Sequence, residues 1–202
     1  MNIYSFLLTS IIIILLPGTG VLYTISVSFT HKKSKGILAA FGCTLGILPH
    51  LFFSLIISAV FLTRYHMLFV IIKWIGILYI LYLGIAMLLS HSRITPLTED
   101  IDDNDKIITH SILINLLNPK LTIFFFTFLP QYTNPESSYY SLSILGYGFL
   151  FMFLTFLIFV LYALLANFAK QLFLTSKEKV QYFTRFSGIL FLLFGIYAII
   201  YS

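Results

Sequence analysis

Apolar residues run along this chain in six long blocks, at about 3–28, 37–61, 67–89, 110–131, 141–169 and 183–201, and the polar residues collect between them. A helix needs roughly 20 apolar residues to cross a hydrocarbon core of about 30 Å, and each block supplies about that many. In lipid only a helix satisfies its own backbone hydrogen bonds within one segment. Barrel strands would instead read as short alternating stretches. The pattern predicts an all-α membrane protein with six transmembrane helices. The first block is not a signal peptide, because no Lys or Arg precedes it and its apolar run is too long.

Composition agrees. Hydrophobic residues make up 59% of the 202 positions and charged residues 9%, against roughly 45–50% and about 25% in soluble domains. A soluble globule of this chain would lack the charge to cover its surface. The net charge of +5 comes from a scarcity of acids, not from a basic face, so a nucleic-acid partner is excluded. Cys43 stands alone. It rules out an internal disulfide, a thiol relay and a cysteine-rich metal site, and reads as a small packing residue.

The few charges set orientation. Lys32, Lys33 and Lys35 occupy the first loop, Arg93 and Lys106 the third, and Lys170, Lys177, Lys179 and Arg185 the fifth. The opposite side has Arg64, with Lys73 just inside the third helix. The positive-inside rule puts loops one, three and five in the cytoplasm and both termini outside. Asn2, Tyr4, Tyr139, Tyr140 and Tyr201 then fall near the outer interface. The longest loop carries Glu99, Asp100, Asp102, Asp103 and Asp105. Asp100, Asp102 and Asn104 match the first three ligand positions of a calcium loop. Asp105 replaces its turn glycine, however, and Ser111 its bidentate glutamate. The stretch reads as a solvated acidic loop, and no metal is expected.

Six helices divide into three plus three, and an odd-numbered repeat returns inverted. The chain is then a single transmembrane domain over 1–202: repeat one at about 1–89, a cytoplasmic acidic loop at about 90–109, and repeat two at about 110–202. Inverted repeats in transporters place the substrate between broken helices at the midplane. Helices one and four each carry a break. Helix one contains Pro17, Gly18, Thr19 and Gly20, and helix four contains Asn118, Pro119 and Lys120. Proline removes a backbone donor and clashes with the preceding turn. Asn is a favoured N-cap and Pro a favoured first helical residue, so Asn118-Pro119 reads as the start of a new half-helix. At about 1.5 Å per residue, Pro17 lies roughly 16 Å and Pro119 roughly 14 Å from the cytoplasmic ends of their helices. Both breaks fall near the midplane.

Half-helix N-termini present unpaired N–H groups to an anion, such as an amino-acid carboxylate. Lys120 adds a charge there, and must face a polar cavity, an anion, or snorkel to water. Asn115 lies one turn before Asn118 and fits the same cavity. The candidate substrate site is Pro17, Gly18, Thr19, Gly20, Asn115, Asn118, Pro119 and Lys120. His50 follows Pro49 in helix two, and as the midmembrane group that titrates near neutral pH it is the proton-coupling candidate. A hydrogen-bonded structural histidine is its alternative. Thr44 is read as bonding its own helix, Gln131 as interfacial, and Phe124, Phe125, Phe126 and Phe128 as facing lipid or filling packing gaps. Gly42 and Gly46, with Gly36, Ala39 and Ala40, form a small-residue stripe that fits either a homodimer or internal packing.

These motifs are similar to those of the lysine exporter (LysE/RhtB) family of bacterial amino-acid efflux proteins. The resemblance covers almost the whole chain. It includes the Pro17-Gly18 break, the basic turn from His31 to Gly36, and the glycine-rich helix carrying His50. Lys73-Trp74, Gly76, Tyr79 and Gly84 match a third helix, and Gly188 and Gly195 match the last. The most specific match is Asn115-Leu116-Leu117-Asn118-Pro119-Lys120 followed by Phe128-Leu129-Pro130-Gln131. The family usually has a second proline and then Asn or Asp where Thr19 and Gly20 stand here. The resemblance implies a multi-pass protein of the bacterial inner membrane that exports amino acids or related small metabolites, driven by the proton gradient. No cofactor is implied. The spans hold no Asp or Glu, which argues against cation pumps. No catalytic triad, metalloprotease motif or cysteine pair supports an enzyme. A non-transporting assembly or sensor subunit is the alternative.

Overall fold

A computed structural model describes residues 3–16, 18–64, 66–89, 103–134, 137–166 and 177–200. Pro17 and residues 90–102, which include Asp100 and Asp102, lie outside the described residues.

All regular structure among the described residues is helical. The elements are α1 (Ile3–Leu15), α2 (Thr19–Thr30), α3 (Lys33–Leu45), α4 (Leu48–Arg64), α5 (His66–Leu89), α6 (Asn104–Leu116), α7 (Pro119–Ile123), α8 (Tyr140–Leu164) and α9 (Lys177–Ile200). A π turn, Phe124–Phe128, and a short 3-10 turn, Leu129–Tyr132, continue α7. Among the described residues two stretches, Lys33–Ile56 and Tyr140–Leu164, are long and apolar enough to cross a membrane, or up to four if each bent pair is one span. The bent pairs are α1 with α2, at 54°, and α6 with Pro119–Tyr132, at 50°. The two predicted breaks are therefore real bends of nearly equal size.

The breaks follow from local chemistry. A proline at 17 has no N–H to give the Ile13 carbonyl, four residues back. At the other break Asn118 is extended and its side chain accepts from the Lys120 N–H at 3.1 Å, so a new helix starts on Pro119. A third interruption separates α3 from α4. There the Ile47 N–H turns to the Thr44 carbonyl at 3.1 Å instead of extending the α-helical pattern, and Pro49 sits in the first turn of α4.

Helix α6 begins at Asn104, six residues before the apolar block. Asp103 caps it by accepting from the Asp105 N–H at 3.0 Å. Asn104 and Asp105 are helical, and Ser111 is buried and donates to the Ile107 carbonyl at 2.6 Å. The described part of the calcium-loop frame, from Asn104 to Ser111, is thus helical, and no cluster of metal-ligating side chains occurs among the described residues.

Small residues bring the helices together. A Cβ on Gly42 would lie 2.9 Å from the Ile108 carbonyl oxygen, and one on Gly46 2.7 Å from that of Ile112. Gly42 and Gly46 are therefore spent on α6, and Gly36 packs on Ser28 of α2, all inside the protein. Gly84 of α5 and Gly188 of α9 face each other, each within 3.0 Å of the other's carbonyl oxygen if a Cβ were added. The core is aromatic: Phe6, Phe124, Phe125 and Phe151 are fully buried, and Phe124 stacks on Phe151 at 4.4 Å. The Phe124–Phe128 run thus fills the interior, and Ser54 donates to the Phe125 carbonyl within the π turn. Leu78, Tyr82, Leu142 and Phe153 point outward, as lipid-facing side chains do. Tyr4 and Tyr139 are exposed, whereas Tyr140 is buried.

Candidate functional site

The site is built where the two breaks meet. Lys120, on the first turn of α7, is 7% exposed. Its Nζ donates to the Ile13 carbonyl at 2.9 Å and to the Leu16 carbonyl at 2.8 Å. The first of these is the acceptor that a proline at 17 leaves without a donor. Tyr162 of α8 donates to the neighbouring Leu15 carbonyl at 3.0 Å. A helix C-terminus carries partial negative charge and open carbonyls. Here those carbonyls are closed by side chains more than a hundred residues away in sequence. Among the described residues Lys120 has no carboxylate partner; its oxygens come from backbone.

Gly18 and Gly20 matter because of what approaches them. Gly18 has extended backbone that any residue adopts, but a Cβ there would lie 3.2 Å from Lys120 Nζ. A Cβ on Gly20 would lie 2.5 Å from Asn115 Oδ1. The space that a side chain at position 20 would need is filled by the Asn115 amide of α6. Thr19 is exposed and its hydroxyl donates to the Ile114 carbonyl at 3.4 Å.

Asn115 is the hub of a second network. Its Nδ2 donates to the Cys43 carbonyl at 2.6 Å, at the α3–α4 interruption. Its Oδ1 accepts from Asn118 Nδ2 at 3.3 Å, and its own carbonyl faces His50 Nε2 at 3.2 Å. A carbonyl only accepts, so Nε2 carries the hydrogen. His50 Nδ1 faces the Thr122 hydroxyl at 3.4 Å. His50 therefore touches the site through Asn115 and Thr122, and has no direct bond to Lys120 among those found. Pro119 is exposed on the first turn. Pro17 lies outside the described residues.

Gly18, Gly20, Asn115, Asn118 and Lys120 are thus brought together, with His50 behind them. Sequence reasoning did not find Tyr162, the Cys43 carbonyl, or the walls formed by Phe151, Thr155 and Phe159. The carbonyl of Ile13 was findable, since proline at 17 predicts it. The cavity bounded by Ile13, Asn115, Asn118, Lys120, Thr155 and Phe159 measures only ≈ 10 Å³, about enough for one water. Thr44 bonds its own helix through the Ala40 carbonyl at 2.8 Å. Gln131 likewise bonds the Thr127 carbonyl of its own turn.

Comparison with known proteins points the same way. An uncharacterized membrane protein of Pseudomonas aeruginosa is 29% identical over 96% of this chain and 93% of its own. A leucine efflux protein of Enterobacter is 28% identical over 79% of each chain. A homoserine/homoserine lactone efflux protein of Salmonella typhimurium is 27% identical over 66% of this chain and 65% of its own. No solved structure matches. The LysE type translocator model matches residues 11–202, and the chain belongs to that family, as a multi-pass protein of the bacterial inner membrane.

Proposed function

We propose that this chain is a secondary exporter of amino acids or related small metabolites, working by alternating access around the paired helix breaks. One observation carries the reading: Lys120 of the second half closes the broken helix of the first half, through the Ile13 and Leu16 carbonyls. A charge this deep in an apolar chain is costly unless it serves a site. Here it joins the two halves that a 3+3 inverted repeat would rock against each other. The relatives named for leucine and for homoserine efflux support small metabolites as cargo.

In this reading both termini are outside and the basic loops are cytoplasmic. The closed state opens toward the cytoplasm, accepts cargo between the half-helices, and reopens to the outside. His50 is the proton carrier. Its bonds to Asn115 and Thr122 tie its protonation to the residues flanking Asn118. Counterflow in proteoliposomes against an amino-acid panel, with and without a pH gradient, tests it. Accumulation of one or more amino acids, increased by the gradient, is expected. A well-inserted protein that moves none of the panel would be a non-transporting subunit.

A further inference from the structure

Three carbonyls at the end of α1 take donors from the other half: Ile13 and Leu16 from Lys120, and Leu15 from Tyr162. If the halves part, these oxygens lose their donors in the middle of the membrane, where an open carbonyl is costly. The Ile13 and Leu16 oxygens both lie within 2.9 Å of one nitrogen, so they are already spaced to hold a single ammonium group. All seven Asp and Glu residues (Glu99, Asp100, Asp102, Asp103, Asp105, Glu136 and Glu178) lie outside the six apolar blocks. A cationic cargo group at this depth must therefore be held by neutral groups, and the Ile13 and Leu16 carbonyls already hold one.

We infer that the Ile13 and Leu16 carbonyls are the binding site for the amino group of the cargo, and that Lys120 is a tethered stand-in that fills it when cargo is absent. This rests on the export reading above and names its substrate class. Cargo entry exchanges one ammonium for another on the same two oxygens, so neither oxygen is left bare. The released Lys120 is then free to meet a carboxylate when the cargo has one. Gly18 fits this exchange, since a side chain there would meet the lysine nitrogen. The cargoes named for the relatives fit it too. Leucine, homoserine and homoserine lactone all carry a free amino group, whereas the lactone has no free carboxylate. The class is compact primary amines, which includes amino acids and their amides, esters and lactones. Compounds whose nitrogen is acylated or missing fall outside it.

Two measurements test this. In wild-type proteoliposomes, leucinamide keeps the amino group and loses the carboxylate, while 4-methylpentanoate does the reverse. Leucinamide is expected to compete with amino-acid counterflow within about threefold of leucine. 4-Methylpentanoate and N-acetylleucine should be weaker by about tenfold or more, the scale of a lost charged hydrogen bond. The reverse order would overturn the inference. The second measurement needs no transport. Lys120→Ala removes the length of a propylammonium ion, so propylammonium should raise the melting temperature of that variant in detergent by a few degrees, clearly more than it raises that of the wild type, where the tethered lysine competes for the same oxygens. Propionate should do nothing. Failure of propylammonium to stabilise the variant, or stabilisation by propionate in its place, would overturn the site. Should the variant not be recoverable, the melting shift of the wild type with leucinamide against 4-methylpentanoate decides the same point. Absence of all counterflow would sink the export reading, while the amine rescue would still succeed or fail by itself.

Discussion

At the second-half break, Asn118 caps its own half-helix and Pro119 starts it. At the first-half break, Gly18 offers no side-chain cap, and the preceding carbonyls are closed by Lys120 and Tyr162 from the other half. The bends are alike, 54° and 50°, but one is capped locally while the other draws side-chain donors from far along the chain. A locally capped break keeps its shape when the halves move apart. A break capped from across the molecule senses whether they are together. The dependent break is thus suited to be the part that changes, and the self-capped one to be the part that carries the lysine.

The strongest way to break this comparison is Lys120→Ala. Export should fall to background while the protein still inserts. Stability should drop by roughly 2 kcal/mol, because buried acceptors are left open. Hydrogen exchange should speed up around the end of α1 and not around α7. Equal acceleration at both breaks would erase the distinction. Next is Gly20→Ala, whose Cβ would sit 2.5 Å from Asn115 Oδ1. Overpacking of this kind costs about 1–3 kcal/mol, and counterflow should fall severalfold. Asn118→Ala should cost about 1 kcal/mol, the usual loss for an N-cap, with the exchange effect confined to α7. Tyr162→Phe removes one hydroxyl donor and should cost about 1 kcal/mol or less, read as a small drop in melting temperature with faster exchange at the end of α1. Thr44→Val should change stability by less than about 0.5 kcal/mol, since Thr44 bonds only its own helix. A larger loss would mean that the α3–α4 interruption belongs to the moving part.

Much of this arrangement was legible in the chain. The apolar blocks located the helices, and the two prolines located both bends, because a missing N–H is a property of the residue and not of its surroundings. Lys120 stood out as the deep charge. What it touches was not legible in full: its depth called for a polar cavity, an anion or water, while the structure has it on backbone carbonyls. The start of α6 was placed late because an apolar window cannot see a polar first turn, although Asp103 was a readable cap. The π turn and the inward Phe124 and Phe125 depend on packing that no periodicity encodes. Tyr162 carried no signal either, as a tyrosine in an apolar helix has many uses.

Gly20 and Asn115 share one volume. This ties together the histories of two segments nearly a hundred residues apart. A lineage that gains a side chain at position 20 must turn the Asn115 amide aside or ease α2 away from α6, and the bonds of Asn115 to Cys43 and Asn118 would be rerouted with it. A change at either position is thus felt at the other, across the contact between α2 and α6.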